Sequence, residues 1–307
     1  MKTIAVTALK GGVGKSSVVA GLGIALVNLG YKVGFIDLDV TGSNLYAALG
    51  LESSPKWQLD TVNEKVVVPG VNGYWLLSVA SSVGEDNAVL WERSHHTELT
   101  HARDALAQLK NNIQWLGREV TMEDLEKVRR KIDGVLASSK WRYVTETLSD
   151  DVVTWPEPLD FCLIDLPPST SSEMLSFFEH VKDLFGVFIV AQPTRLANTG
   201  LRRTIDLLRV RQIPILGMVA NQDYYLTSAG QLEYQFASPR VDPQAISRKA
   251  GIPFLVSIPQ CADQERLGPY FSELATKIVS AQPTVLKDVT MVKKLKRKVF
   301  KGIARRL

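Results

Sequence analysis

The chain has 307 residues, room for one large α/β domain or two small ones. A content of 45% hydrophobic and 22% charged residues excludes a disordered chain, and no apolar run approaches the roughly 18 residues that span a bilayer. The net charge of +4 is local: residues 290–307 hold eight basic residues and no acid, which leaves 28 basic against 32 acidic residues and excludes a broadly basic body.

The stretch from Ile4 to Ser17 comes first in the chain and governs the reading of the rest. An apolar, β-rich run leads into Lys10-Gly11-Gly12-Val13-Gly14-Lys15-Ser16-Ser17, and a helical pattern from Val18 to Leu29 leads out. Strand, glycine loop and helix in that order predict a phosphate-binding loop. Glycines let backbone N–H groups close around phosphate oxygens that a Cβ would hold off, and a helix N-terminus favours the anion. Lys15 is then placed for the β- and γ-phosphates, the Ser16 hydroxyl for Mg²⁺, and Ser17 for the α-phosphate. One lysine followed directly by a strand is no secretory signal, so the expected location is the cytosol.

Lys10, ahead of the first glycine, makes the loop more specific. Lys-Gly-Gly-Val-Gly-Lys-Ser resembles the deviant Walker A motif of the MinD/ParA/Mrp ATPase family. The resemblance implies ATP with Mg²⁺, a phosphate contact from Lys10, and a homodimer that forms on ATP. Taken alone, Lys10 also reads as a solvated loop charge.

Gly30-Tyr31-Lys32 ends the first helix, and Val33 to Asp37 reads as a buried strand. Asp37 and Asp39 follow at its carboxyl end, where α/β sheets bind ligands. By the resemblance, Asp37 holds Mg²⁺-bound water and Asp39 orients the attacking water. A turn or cap carboxylate is the plain alternative for each. The segment through Asn44 to Leu51 is similar to the Mrp subgroup but lacks its two prolines. Val66 to Pro69 and Trp75 to Val79, around Asn72-Gly73, predict a hairpin or two short strands.

Residues 95–141 match nothing in the family's pattern. Leu99, Ala102, Leu106 and Leu109 recur at helical spacing, which predicts an inserted helical subdomain, lid or partner surface. His95, His96 and His101 fall there without a cysteine and read as ordinary loop histidines.

Leu159 to Thr170 closely resembles the Mrp segment that carries Walker B. A buried strand ends in Asp165, whose carboxylate would fix a Mg²⁺-bound water, and Ser169 stands where the family has glycine in its switch loop. Gly186 to Thr194, Asn198 to Arg209 and Ile215 to Gln222 read as strand, helix and strand. Asn221 closes the last of these, where the family reads adenine with Asn. Mrp proteins that carry clusters bear a Cys-x-x-Cys soon after. Tyr224 to Gln231 has no cysteine, so no iron–sulfur cluster is expected here. Cys162 lies in an apolar run and reads as a small buried hydrophobe. Ala250 to Pro259 is the last core strand, and Leu267 to Ser280 a closing helix.

The tail, 286–307, repeats Val292, Leu295, Val299 and Ile303 at helical spacing among its cations. A basic amphipathic helix reads as an anchor on an anionic membrane surface, with DNA or a protein partner as alternatives. The expected architecture is a doubly wound, mostly parallel α/β sheet over 1–285 followed by the tail. The expected function is a slow, Mg²⁺-dependent ATPase switch that dimerises around ATP and associates with a surface at the inner face of the membrane. A nucleotide-bound scaffold, a ParA-like DNA-associated ATPase and an Mrp-like iron–sulfur carrier are the alternatives.

Overall fold

A computed structural model describes residues 1–8, 10–39, 42–56, 58–60, 63, 65–78, 114–116, 152–168, 174, 177–179, 181, 183–193, 195–234 and 242–286. The first strand, β1 (Lys2–Thr7), is wholly apolar from Ile4 to Val6 and lies in the middle of the main sheet. It pairs in parallel with β9 (Phe161–Asp165) on one side and β10 (Leu184–Ala191) on the other. Beyond β9 come β2 (Val33–Asp37), β6 (Tyr74–Ser78) and β5 (Gly70–Val71). Beyond β10 comes β11 (Ile215–Leu226), which carries β13 (Phe254–Gln260) in parallel and β12 (Leu232–Glu233) antiparallel on its outer edge.

Near-continuous apolar runs fit strands covered on both faces. On one face lie α1 (Lys15–Asn28), the single turn α2 (Leu45–Ala48) and α5 (Gly268–Ser280). On the other lie α3 (Arg195–Val210) and α4 (Pro243–Ala250), with Leu201, Ile205 and Leu208 of α3 forming its buried stripe. A helix-covered parallel sheet of this kind is the doubly wound architecture expected.

α1 is buried on two sides, and its glycines admit the neighbours. A Cβ at Gly21 would meet the Phe271 ring of α5, and one at Gly23 would meet Phe35 of β2. The helix ends in a Schellman pattern, Tyr31 N–H to Leu26 C=O at 3.1 Å and Gly30 N–H to Val27 C=O at 2.8 Å, around Gly30 at φ +89°. Asn72 (φ +48°) and Gly73 (φ +84°) form the β5–β6 turn, as the Asn-Gly pair predicts.

The structure adds a second, four-stranded sheet that the sequence did not announce. Its order is β7 (Gln114–Leu116), β3 (Gln58–Asp60), β4 (Lys65–Val67) and β8 (Val153–Thr154). β7 therefore places a strand inside the segment read as helical; β3 offers an open edge, and three residues suffice to pair with it. The rest of 95–141, Ser169 and the tail from 287 onward lie outside the described residues. No helix among the described residues is long and apolar enough to cross a membrane.

Candidate functional site

The parallel strands deliver four of the expected groups to one edge of the sheet. Gly14, at φ +77°, is the N-cap of α1, so the glycine loop turns directly into the helix. A left-handed residue is required there, and a Cβ would also strike the Asn221 amide. Gly11 and Gly12 face open space, the property a phosphate cradle needs.

Lys15 opens α1 and is buried at 7% exposure. Its ammonium donates to Asp165 Oδ1 in an ion pair, and Ser16 Oγ donates to Oδ2 at 2.5 Å. The first turn of α1 thus bonds the end of β9 across 150 residues. Asp37 is paired directly with Asp165 in the β2–β9 register, and both are fully buried. Asp37 accepts from Asp39 N–H at 3.0 Å, Ser43 Oγ at 2.7 Å and Leu45 N–H at 3.3 Å, so it organises the loop after β2. Asp39 sits half-buried on that loop, beside the acids.

Two buried acids side by side are short of positive charge. Burial pushes the Asp37 carboxyl up to about 7, the facing Asp165 adds to this, and Ser43, Lys15 and the Asp39 N–H work against it. Burial also holds Asp165 above the usual carboxylate range, against the pull of Lys15 and Ser16 and with a smaller push from Asp39. A hard cation relieves that shortage. The donors at hand, Ser16, Asp37 and Asp165, are all oxygens, and Mg²⁺ characteristically takes one or two carboxylates together with phosphate and water. Among the described residues no cluster of three or more His, Cys, Asp or Glu forms a metal cage.

Val13 is buried beneath the loop, and Ser17 and Lys10 are exposed on it. Asn221 reaches the site, beside the glycine loop. Its Nδ2 donates to Val13 C=O at 2.8 Å, which ties the loop to β11. Sequence reasoning missed Ser43 and Ser78, whose hydroxyls bond at 2.6 Å and extend the Asp37 network. Ser78 faces Asp37 in the β2–β6 register, so a hydroxyl at the end of a buried strand was the available signal. It also missed Met174, whose sulfur accepts from Thr7 Oγ1 at 3.2 Å at the end of β1.

A family model described as ParA: NUBPL iron-transfer P-loop NTPase matches residues 1–125 and 136–300. The chain belongs to this family. An iron–sulfur cluster carrier protein of Aquifex aeolicus is 26% identical over 260 residues, 83% of this chain and 57% of that protein. The cytosolic Fe-S cluster assembly factor CFD1 of Candida albicans is 27% identical over 269 residues, 86% of this chain and 78% of that protein. The chain therefore spans little more than half the length of the first relative and most of the second. Among solved structures, a nucleotide-binding protein from Archaeoglobus fulgidus in complex with ADP superposes with a TM-score of 0.54 at 23% identity, covering 89% of this chain and 87% of that one. The cell division ATPase MinD of Pyrococcus furiosus gives 0.52 at 20% identity, covering 91% and 98%. These two show a shared fold.

The comparisons correct one expectation outright. The absence of Cys-x-x-Cys in Tyr224–Gln231 led to the expectation of no iron–sulfur cluster, yet the matched family is an iron-transfer family and its relatives are named for cluster carriage and assembly. The missing pair describes one loop's ligands, and the inference extended it to the whole protein.

Proposed function

We propose that this NUBPL-type NTPase is an Mg²⁺-dependent ATPase of iron–sulfur cluster assembly or transfer. The observation that carries the nucleotide half is the convergence of Lys15, Ser16 and Asp165 at the glycine loop. The relatives' names support the cluster half.

In this reading Gly11 to Ser17 enclose the phosphates. ATP displaces the Lys15 ammonium and the Ser16 hydroxyl from Asp165 and takes them as donors. Ser16, Asp37 and Asp165 would hold Mg²⁺ directly or through water, and the ion when bound would supply positive charge against the phosphates. Lys15 stabilises the charge that builds on the transferred group. Asp39 orients water for in-line attack at the γ-phosphorus, giving ADP and phosphate. Lys10, exposed on the rim, reaches the phosphates of a second copy when two chains close on ATP. The cluster is cargo. Cys162 lies on β9 and Cys261 follows β13, with β1, β10 and β11 between them, so the two thiols do not share one cluster. Sulfur ligands for the cluster come from the partner that gives or receives it.

The test pairs calorimetry of Mg-ATP binding with anaerobic transfer of a [4Fe–4S] cluster from a loaded donor to an apo-acceptor, followed by visible absorbance with and without ATP. Binding together with ATP-dependent transfer supports the proposal. Binding with no effect on transfer removes the cluster half and leaves the ATPase.

The tail favours a second, compatible property. Eight cations with an apolar stripe at Val292, Leu295, Val299 and Ile303 suit an anionic lipid surface, each cation contributing on the order of 1 kcal/mol. Co-sedimentation with anionic vesicles, with and without residues 290–307, tests it; equal recovery of both forms ends the membrane reading.

A further inference from the structure

Three polar side chains stand in a row across the carboxyl edge of the sheet. Ser78 of β6 faces Asp37 of β2, and Asp37 faces Asp165 of β9, each pair in register and all three fully buried. The two acids draw their donors from different places. Asp165 is bonded by Lys15 and Ser16 of α1, the groups that a triphosphate would take over. Asp37 is bonded by the loop that follows it: Asp39 N–H reaches Oδ1, while Ser43 Oγ and Leu45 N–H reach Oδ2. Asp37 therefore keeps its donors when nucleotide draws those of Asp165 away.

Two of the three donors to Asp37 are backbone N–H groups, which almost any residue supplies. The third is the Ser43 hydroxyl, and its bond, at 2.7 Å, is the shortest of the three. A hydroxyl has one hydrogen. Ser43 spends it on Asp37, so in its 2.6 Å contact with Ser78 it accepts and Ser78 donates. The result is a directed relay, Ser78 to Ser43 to Asp37, in which each bond polarises the next. An ionised carboxylate offers about four acceptor positions. Among the described residues Oδ2 takes two donors and Oδ1 takes one, so the open position is on Oδ1.

We infer that Ser43 is a positioning residue for Mg²⁺: it pins Oδ2 of Asp37, reserves the open position on Oδ1 for water of the ion, and is itself held by Ser78. Partners that orient a ligand in this way set metal affinity by about 10–100-fold. Ser43 is half-buried on a loop and bonds neither the glycine loop nor Lys15, so loss of its hydroxyl separates the Mg²⁺ requirement from the grip on the phosphates. The inference rests on the nucleotide half of the proposed function and is independent of the cluster half.

Calorimetry on the full chain tests it, with ATP affinity measured in EDTA and across a Mg²⁺ series for wild type, Ser43→Ala, Ser43→Thr, Ser78→Ala and the double alanine variant. A thermal melt without nucleotide establishes folding of each. In EDTA every variant binds ATP within about twofold of wild type, because the glycine loop is untouched. Ser43→Ala needs about tenfold more Mg²⁺ to reach half of the Mg²⁺-dependent gain in affinity, and Ser43→Thr, which restores the hydroxyl, stays within about threefold of wild type. Ser78→Ala moves that midpoint the same way by about threefold, and the double variant moves it no further than Ser43→Ala, since Ser78 acts through Ser43. A midpoint unmoved in Ser43→Ala overturns the inference. So does ATP affinity in EDTA that falls in step with it, since Ser43 then shapes the loop and not the acid. Additive shifts in the double variant overturn the relay from Ser78. If Ser43→Ala does not fold, the midpoint of Ser78→Ala decides by the same criterion. Wild type that binds no ATP overturns the nucleotide half itself.

Discussion

Replacing Lys15 with Met keeps the stem and removes the cation. In the free protein Lys15 is 7% exposed and its partner Asp165 is fully buried, with Asp37 directly across the β2–β9 pair. Taking one member from a buried ion pair strands the other, at about 3–5 kcal/mol. The stranded carboxylates have one escape, which is to take up protons. Lys15 lowers the pKa of both Asp165 and Asp37, so without it both rise further above their unfolded values. An acid whose folded pKa is raised binds its proton more tightly in the folded state, so stability falls as pH climbs toward that pKa. Wild type loses stability as Asp37 ionises, near pH 7; without Lys15 the loss extends to higher pH, by up to about 1.4 kcal/mol per pH unit for each group. Urea unfolding with EDTA and no nucleotide, at pH 5.5, 7.0 and 8.5, reads the difference. The expected gap from wild type is smallest at pH 5.5 and reaches about 3–5 kcal/mol at pH 8.5. A gap that does not vary with pH, or one under about 1 kcal/mol at pH 8.5, refutes the pairing of Lys15 with Asp165 in the free chain.

Three further outcomes follow from the same geometry. Gly14→Ala places a Cβ at φ +77° against the Asn221 amide, and should cost about 1–2 kcal/mol and abolish ATP binding in calorimetry; retained affinity would mean that the loop is not shaped by this glycine. Asp39→Ala should leave ATP affinity within a few-fold and cut phosphate release by about 100-fold or more, and unchanged turnover would remove Asp39 from the water-orienting role. Gly34→Ala crowds Leu159 and Trp155 under β2, and should lower stability by about 1–3 kcal/mol while ATP affinity stays within about twofold, which separates the scaffold from the site.

The loop and its acids were legible because each carries a local signature at a fixed place. Glycines before Lys15 define the cradle, and Asp37 and Asp165 each end an apolar run that only a buried parallel strand explains. Chain order then places them on neighbouring strands, and the register confirms it residue for residue. What stayed hidden depends on pairing between distant segments or on a single torsion. Ser43 and Ser78 are 35 residues apart and meet only because β6 pairs with β2. The second sheet gathers three-residue and two-residue strands from 58 to 154, too short for a periodic signal. Gln222 looks like any residue near a strand end until its φ is known.

Residues that are present and residues that are missing carry unequal weight. A lysine, a serine and two aspartates drawn from three segments can be tested against one another, since a chance set would not converge on one strand edge. A missing Cys-x-x-Cys has no such cross-check. It bears on the ligands of the loop after β11 and leaves the phosphate loop, the acid pair and the strand order untouched, and these lie within the stretches that the iron-transfer family model matches. The remaining thiols could not have settled the question either: Cys162 is pushed up to about 12 by burial inside β9, and Cys261 donates to Asp263 C=O at 2.8 Å. Both are structural cysteines in the free chain, and a structural cysteine is silent on what a partner contributes.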